Sequence, residues 1–261
     1  MSERVEAFGI LLDPLTMEEA VSRVLAWTGE KEENCRYVVT PNVDHLVKLE
    51  TDSRFRQIYR AASLVLVDGK PVLHALNLLG WDFPETVSGS DFVPRLFERA
   101  QAANKELRVY WLGAAPGVAE KAAVRVAERC PVIKTVGVYS PPFGFEKNSE
   151  EQRKMVDLVG DAHPEILILG LGTPKQEFFL GKHSGRLRAK VALCVGATID
   201  FEAGEVKRAP LWMRRFGLEW AYRVLSNPRR FVKRYLVDGI LFPRILWNEW
   251  RRTARRTERR E

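Results

Sequence analysis

Residues 165–177 read EILILGLGTPKQE. The run from Glu165 to Leu171 is short and apolar, as in a strand buried on both faces. Gly170 and Gly172 let the backbone turn tightly after it. Thr173 can cap the next helix, with Pro174 at its first position, and that helix is expected to run to His183. Similar units lie on either side. Lys190 to Val195 reads as a strand ending at Gly196. Upstream, Leu107 to Leu112 and Val132 to Val138 read as strands, with helices over Pro116 to Arg129 and Glu150 to Asp161 between the strands.

The first hundred residues follow the same rhythm. Thr16 and Glu19 make a capping box that opens a helix to about Trp27. Arg36 to Thr40 and Leu64 to Val67 are further strands. Helices are expected through Leu49, from Ser53 to Ala62, from Pro71 to Leu79, and from a cap at Ser90 or Asp91 to Ala103. Six short strands separated by helices predict an α/β fold, Rossmann-like in type: a mostly parallel sheet with helices on both faces.

Composition agrees with one sizeable core. The chain has 261 residues, 46% hydrophobic and 29% charged. Cys35, Cys130 and Cys194 stand far apart and make no CxxC pair, so buried thiols in a reducing compartment are expected. No run approaches the roughly 18 apolar residues of a spanning helix, and the first residues lack a secretory signal. The expected location is cytoplasmic, or on the inner face of a membrane. Charge divides the chain. From Lys207 onward there are 16 Lys and Arg against 5 Asp and Glu, net +11. With a total of +7, residues 1–206 carry −4. Four of the seven tryptophans, Trp212, Trp220, Trp247 and Trp250, also lie in this basic tail. The division predicts a catalytic core over 1–206 and an aromatic, basic appendage over 207–261.

In parallel α/β folds, ligands bind beyond the C-terminal ends of the strands. Several unusual residues fall there. Free N–H groups at the start of the helix after Gly170 and Gly172 could receive a phosphate. Thr173 is part of that turn. Lys175 could add charge, and Gln176 could bond a base or sugar. A capped junction with no ligand explains the same residues. Asp68, before Gly69, could act as a general base, or could mark an ordinary Asp-Gly turn. Thr40 and Asn42 end the preceding strand and would lie near Asp68. Thr40 could orient a hydroxyl, whereas Asn42 or Asp44 could cap a helix. Asp200 could touch a sugar or pair with the tail. The histidines show no metal-ligand spacing, and no paired aspartates sit near a strand end. No metal ion or organic cofactor is therefore expected.

These motifs, taken in order, resemble the WecG/TagA/CpsF glycosyltransferases of bacterial surface-polymer synthesis. The matching pieces are TPNVDH from Thr40, DGKP from Asp68, SGSD from Ser88, GVYSPPFGF from Gly137, GLGTPKQE from Gly170, VGATIDF from Val195, Arg208-Ala209-Pro210, and the stretch from Gly217 to Arg230. The resemblance implies inverting, metal-independent transfer from a UDP-sugar. The usual donor sugar is N-acetylmannosamine. It would join in β-1,4 linkage to N-acetylglucosamine on an undecaprenyl diphosphate carrier. Some members use glucose or N-acetylmannosaminuronic acid, and a non-catalytic membrane-associated binding protein is a further alternative. Asp68 would be the base, with Thr40 and Asn42 near the transferred sugar and Gln176 holding the nucleotide-sugar. Many members carry an arginine where this chain has Thr86. The resemblance also implies self-association into a homo-oligomer.

The tail completes the reading. At about 100° per residue, Arg229, Arg230, Lys233 and Arg234 fall on one arc, opposite Phe231, Val232, Tyr235 and Leu236. This is the pattern of an amphipathic helix lying on an anionic membrane surface. Leu211 to Leu225 reads similarly, and Trp247 to Arg260 as a fraying extension. The resemblance assigns Arg214, Arg223, Arg229 and Arg230 to the acceptor diphosphate. No nucleic-acid-binding module is legible.

Overall fold

A computed structural model describes residues 3–31 and 34–257. It opens with a hairpin, β1 (Val5–Ala7) and β2 (Ile10–Leu12), followed by α1 (Met17–Thr28). Next come β3 (Arg36–Val39), α2 (Val43–Thr51), α3 (Ser53–Ala61), β4 (Leu64–Val65), α4 (Lys70–Leu78) and α5 (Gly89–Ala102). The second half holds β5 (Leu107–Gly113), α6 (Val118–Arg129), β6 (Ile133–Tyr139), α7 (Ser149–Ala162), β7 (Ile166–Gly170), α8 (Lys175–His183), β8 (Val191–Cys194) and α9 (Thr198–Ala203). Three helices end the chain: α10 (Leu211–Arg215), α11 (Glu219–Ser226) and α12 (Pro228–Thr257).

The six expected strands form one sheet in the order β4-β3-β8-β7-β5-β6, and every pair is parallel. Alternation along each strand feeds two cores. Val39, Leu112, Leu169 and Cys194 face α2, α3, α4, α7 and α8. Val38, Trp111, Ile168 and Leu193 face α1, α5, α6 and α9. Both faces are covered, as the continuous apolar runs require.

The strand connections reverse direction between β5 and β7. From β5 the chain moves outward to β6, and from β7 it moves the other way to β8. Gly113 and Gly170 sit at the ends of these two strands. A Cβ on Gly113 would stand 2.5 Å from the Gly170 carbonyl carbon, and Gly113 has φ +125°.

Several details differ from the sequence expectation. The β1–β2 hairpin was not anticipated, because three-residue strands are too short to show alternation. Its turn rests on Phe8 and Gly9, both with positive φ. Ser88, rather than Ser90 or Asp91, caps α5 by accepting the Asp91 N–H; the Asp91 carboxylate is engaged elsewhere, by Arg208 and Arg214. The stretch Leu211 to Leu225 is not one helix, since it breaks after Arg215 and Gly217 takes φ +72°. Trp247 and Trp250 lie in α12, which continues to Thr257, and the rest of the expected extension, to Arg260, lies outside the described residues. No helix of the described residues is long and apolar enough to cross a membrane.

Gly113→Ala would combine an unfavourable φ with a backbone clash. The expected cost is on the order of 1–3 kcal/mol or more, read as a lower urea midpoint at unchanged slope. A midpoint equal to the parent's would show that the β5–β7 junction tolerates a side chain.

Candidate active site

The strands place Asp68. Leu66 N–H donates to Val39 O, and two residues later Asp68 N–H donates to Pro41 O, both at 3.0 Å. The chain after β4 therefore runs alongside the chain after β3, bringing Asp68 beside Asn42 as the adjacency of the strands implied. A cavity of about 420 Å³ opens there. Asn42, Asp44, Asp68 and Lys70 line it from the sheet end, Thr86, Ser88 and Asp91 from the segment before and into α5, and Arg214, Glu219, Trp220, Arg223, Arg234 and Asp238 from the last three helices. A larger groove, about 810 Å³, lies at the opposite end of the strands, beside Arg36 and Ser63. That end of a parallel sheet is not where such folds bind ligands, and the groove contains none of the residues read as catalytic.

Burial raises the Asp68 carboxyl to about 6. Arg223 opposes this, Glu219 adds to it, and His45 and a hydrogen bond from Asn42 oppose it. Such a group is mostly ionised at neutral pH and still basic enough to take a proton from a hydroxyl. Arg223 lies over the cavity in an ion pair with Glu219 at 2.8 Å. Arg214 does not stand free for a ligand: together with Arg208 it grips Asp91, at 2.5 and 2.8 Å. Burial works against the Asp91 charge, but the two guanidiniums and the Ser88 hydroxyl hold its carboxyl below the usual range. Arg234 reaches Asp44 at 3.1 Å and Asp238 at 3.8 Å.

Behind the cavity lies a buried network. His45 Nδ1 is 2.7 Å from Asn42 Oδ1, and His45 Nε2 is 2.8 Å from Thr173 Oγ1. Thr173 donates to Glu177 Oε1 at 3.1 Å, and Gln176 Nε2 donates to the same oxygen at 2.9 Å. Gly196 N–H donates to Gln176 Oε1 at 3.3 Å. Glu177 is 1% exposed, and its Oε2 has no partner among the described residues. Thr173 is thus not the helix cap: Pro174 holds that position without a side-chain bond, and the threonine hydroxyl is taken by His45 and Glu177. Asn42 does cap α2, accepting the His45 N–H.

The remaining expected site residues fall in three places. Thr40 is buried and is not part of the cavity wall. Gly170 and Gly172 form the β7–α8 turn, whereas Lys175 pairs with Glu146 at 3.0 Å and sits over the Phe143 ring. Gln176 is buried, with both ends of its amide used by the protein. Asp200 is half-buried on α9. Arg229 is exposed outside the cavity, and the Arg230 side chain lies outside the described residues. Sequence reasoning missed Glu177 and Asp91 as organising groups. A glutamate in a first helical turn reads as a dipole partner, and only the fold shows that it is buried. No group of three or more His, Cys, Asp or Glu among the described residues could hold a metal ion.

Comparison with known proteins agrees with the motif reading. The model of the Glycosyl transferase WecG/TagA/CpsF family matches residues 5–256. The N-acetylglucosaminyldiphosphoundecaprenol N-acetyl-beta-D-mannosaminyltransferase of Bacillus spizizenii is 33% identical over 195 residues, 75% of this chain and 73% of its own. The Staphylococcus aureus enzyme of the same name, from strain MRSA252, is 26% identical over 228 residues, 87% of this chain and 86% of its own. This chain belongs to the WecG/TagA/CpsF glycosyltransferase family.

The raised Asp68 carboxyl carries a stability consequence. Its protonated form is the favoured one in the folded state, and that preference is lost as pH rises through about 6. Asp68→Asn should therefore be more stable than the parent at pH 8, by at most about 2–3 kcal/mol. The advantage should shrink as pH falls toward 4. Urea denaturation across that range checks it, and an advantage that does not vary with pH would refute the raised value.

Proposed function

We propose that this chain is an inverting glycosyltransferase that moves N-acetylmannosamine from its UDP donor to N-acetylglucosamine on an undecaprenyl diphosphate carrier, forming a β-1,4 bond. The observation that carries the reading is the placement of Asp68, a partly buried carboxylate at the sheet's C-terminal end, in a cavity roofed by arginine-bearing helices. The two relatives are named for this donor sugar and this acceptor.

The chemistry follows from the groups present. Asp68 takes the proton of the acceptor hydroxyl. The hydroxyl oxygen attacks the anomeric carbon, the bond from that carbon to the diphosphate breaks, and UDP leaves with the bonding electrons. Negative charge grows on the departing diphosphate and needs a nearby cation. Where the family often has arginine, Thr86 lines the same cavity as Arg214 and Arg223. Arg223 is the better substitute, because its charge already acts on Asp68, whereas Arg214 shares Asp91 with Arg208. The nucleotide belongs at the reversal between β5 and β7. From β7 to β4 is three strand spacings, about 14 Å in all, a span suited to an extended nucleoside diphosphate sugar.

Residues 207–261 act as an appendage that docks the core on the anionic inner face of the membrane. Leu211, Trp212, Phe216, Leu225, Leu236, Ile240 and Trp247 are exposed there beside many basic residues. Each basic residue close to an anionic leaflet contributes about 1 kcal/mol. The full chain should float with vesicles of phosphatidylcholine and phosphatidylglycerol and stay behind with pure phosphatidylcholine. Equal binding to both, or to neither, would remove the electrostatic anchor.

A donor panel tests the reaction. The protein would be given a short-chain lipid diphosphate N-acetylglucosamine and several UDP-sugars, with UDP release and product mass read with and without EDTA. Product with UDP-N-acetylmannosamine is expected, unchanged by EDTA and reduced about 10²-fold or more in Asp68→Ala. Product only with UDP-glucose or UDP-N-acetylmannosaminuronic acid would reassign the donor. No product with any of them would favour a binding protein that has lost turnover.

A further inference from the structure

Asn42 carries an amide whose direction matters. If its NH2 faces Asp68 it donates to the carboxylate, and if its oxygen does it repels the carboxylate. Asn42 Oδ1 accepts from the His45 backbone N–H at 3.4 Å and lies 2.7 Å from His45 Nδ1. Asn42's own N–H also lies 3.2 Å from Nδ1. The two contacts exclude each other, because Nδ1 either donates or accepts. The shorter one decides: an oxygen and a bare ring nitrogen at 2.7 Å would repel, so Nδ1 carries the proton. Flipping the amide would put two donors face to face at the His45 N–H. On the other side of the ring, Nε2 faces a Thr173 hydroxyl whose proton goes to Glu177. Glu177 Oε1 stands 3.6 Å from the same ring nitrogen.

We propose that His45 and Glu177 form a buried positioning pair that holds the Asn42 amide with its NH2 toward the Asp68 carboxylate. This rests on the reading of Asp68 as the base. Glu177 Oε1 also receives Gln176, whose amide oxygen takes the Gly196 N–H. One buried carboxylate therefore ties the turns after β7 and β8 to the group that activates the acceptor. Neither His45 nor Glu177 lines the cavity, so both act through their neighbours. The remaining charges around Asp68 are Arg223 and Glu219 of α11, Lys70 of α4, Asp44 of α2, and Arg234 and Asp238 of α12. Around the His45 ring, Phe55 and Tyr59 of α3 lie at 6.3 and 6.2 Å between ring centres. All of these stay intact in the variants below.

The test compares His45→Asn with His45→Gln. The asparagine amide can reach the place of Nδ1 and donate to Asn42, whereas the glutamine amide reaches the place of Nε2 instead. In the wild type, kcat/KM should fall on the acid side with a midpoint near that of Asp68, about 6. In His45→Gln this limb should move to higher pH by about half a unit or more, as expected for losing a hydrogen bond to the carboxylate. The value of kcat at pH 7 should fall about tenfold, with KM for the UDP-sugar nearly unchanged. His45→Asn should sit closer to the wild type in both. Glu177→Gln should shift the limb in the same direction as His45→Gln, and the double variant should shift it no further. Equal limbs in all variants and wild type overturn the proposal, as does full additivity of the two changes. If Asp68→Asn keeps its rate, or the wild type has no such limb, the base assignment fails and the proposal fails with it.

Discussion

A parallel sheet buried on both faces can present chemistry only at its ends. Here every strand points the same way, so the turns after β3, β4, β5, β7 and β8 gather along one edge. That constraint brings together residues far apart in sequence. Asp68 is held against Pro41 by a single backbone hydrogen bond. Thr173 meets His45 across 128 positions of chain. The sheet core supplies the rigidity for this, since Ile168, Leu169, Leu193 and Trp111 are fully buried and fix where each strand ends. Each fully buried side chain of this size is worth about 1.5–3 kcal/mol.

The appendage is bound to that edge by ion pairs as well as by apolar packing. Arg208 and Arg214 share Asp91 at the start of α5, and Arg234 bridges Asp44 of α2 and Asp238 of its own helix. Asp44 and Asp238 are both buried, so their charges are little screened by solvent. Burial raises the Asp238 carboxyl, and the nearby Asp44 charge raises it further. Among the described residues of α12, Ile245 joins the main core and Phe242 and Leu246 pack against it partly buried. Other large apolar side chains of α12, such as Leu236, Ile240 and Trp247, remain exposed. The cavity wall and the exposed apolar surface thus belong to the same helices.

Much of the fold was legible because the signals are local. Six apolar runs between helix-period segments gave six strands, and all six occupy the sheet to within two residues at each end. Asn42 and Asp68 were legible as neighbours because adjacent parallel strands end together. The rest depended on contacts that no local pattern encodes. Thr173 looked like a helix cap because threonine before proline usually is one, but a histidine from α2 claims its hydroxyl. Gln176 looked like a ligand contact, yet its amide is spent on Glu177 and Gly196. Arg214 looked free, and Asp91 holds it. In each case the missing information was the partner, which comes from another part of the chain.

The Asp68 environment shows why such partners matter to chemistry. Burial raises the carboxyl, and several neighbouring groups hold that rise in check. Arg223 opposes burial, and Glu219 restrains Arg223 by pairing with it. Because both come from α11, the basicity of Asp68 depends on that helix standing over the cavity. His45 and Asn42 act from beneath, at the start of α2. A carboxyl set from two sides in this way depends partly on the rigid core and partly on a segment joined to it through ion pairs and the packing of Ile245. Displacing α11 would remove the Arg223 cation and the Glu219 anion together while admitting water to the carboxylate. These changes oppose one another, so loss of the appendage would cost the cavity its roof and the Arg223 cation while leaving the Asp68 carboxyl less changed.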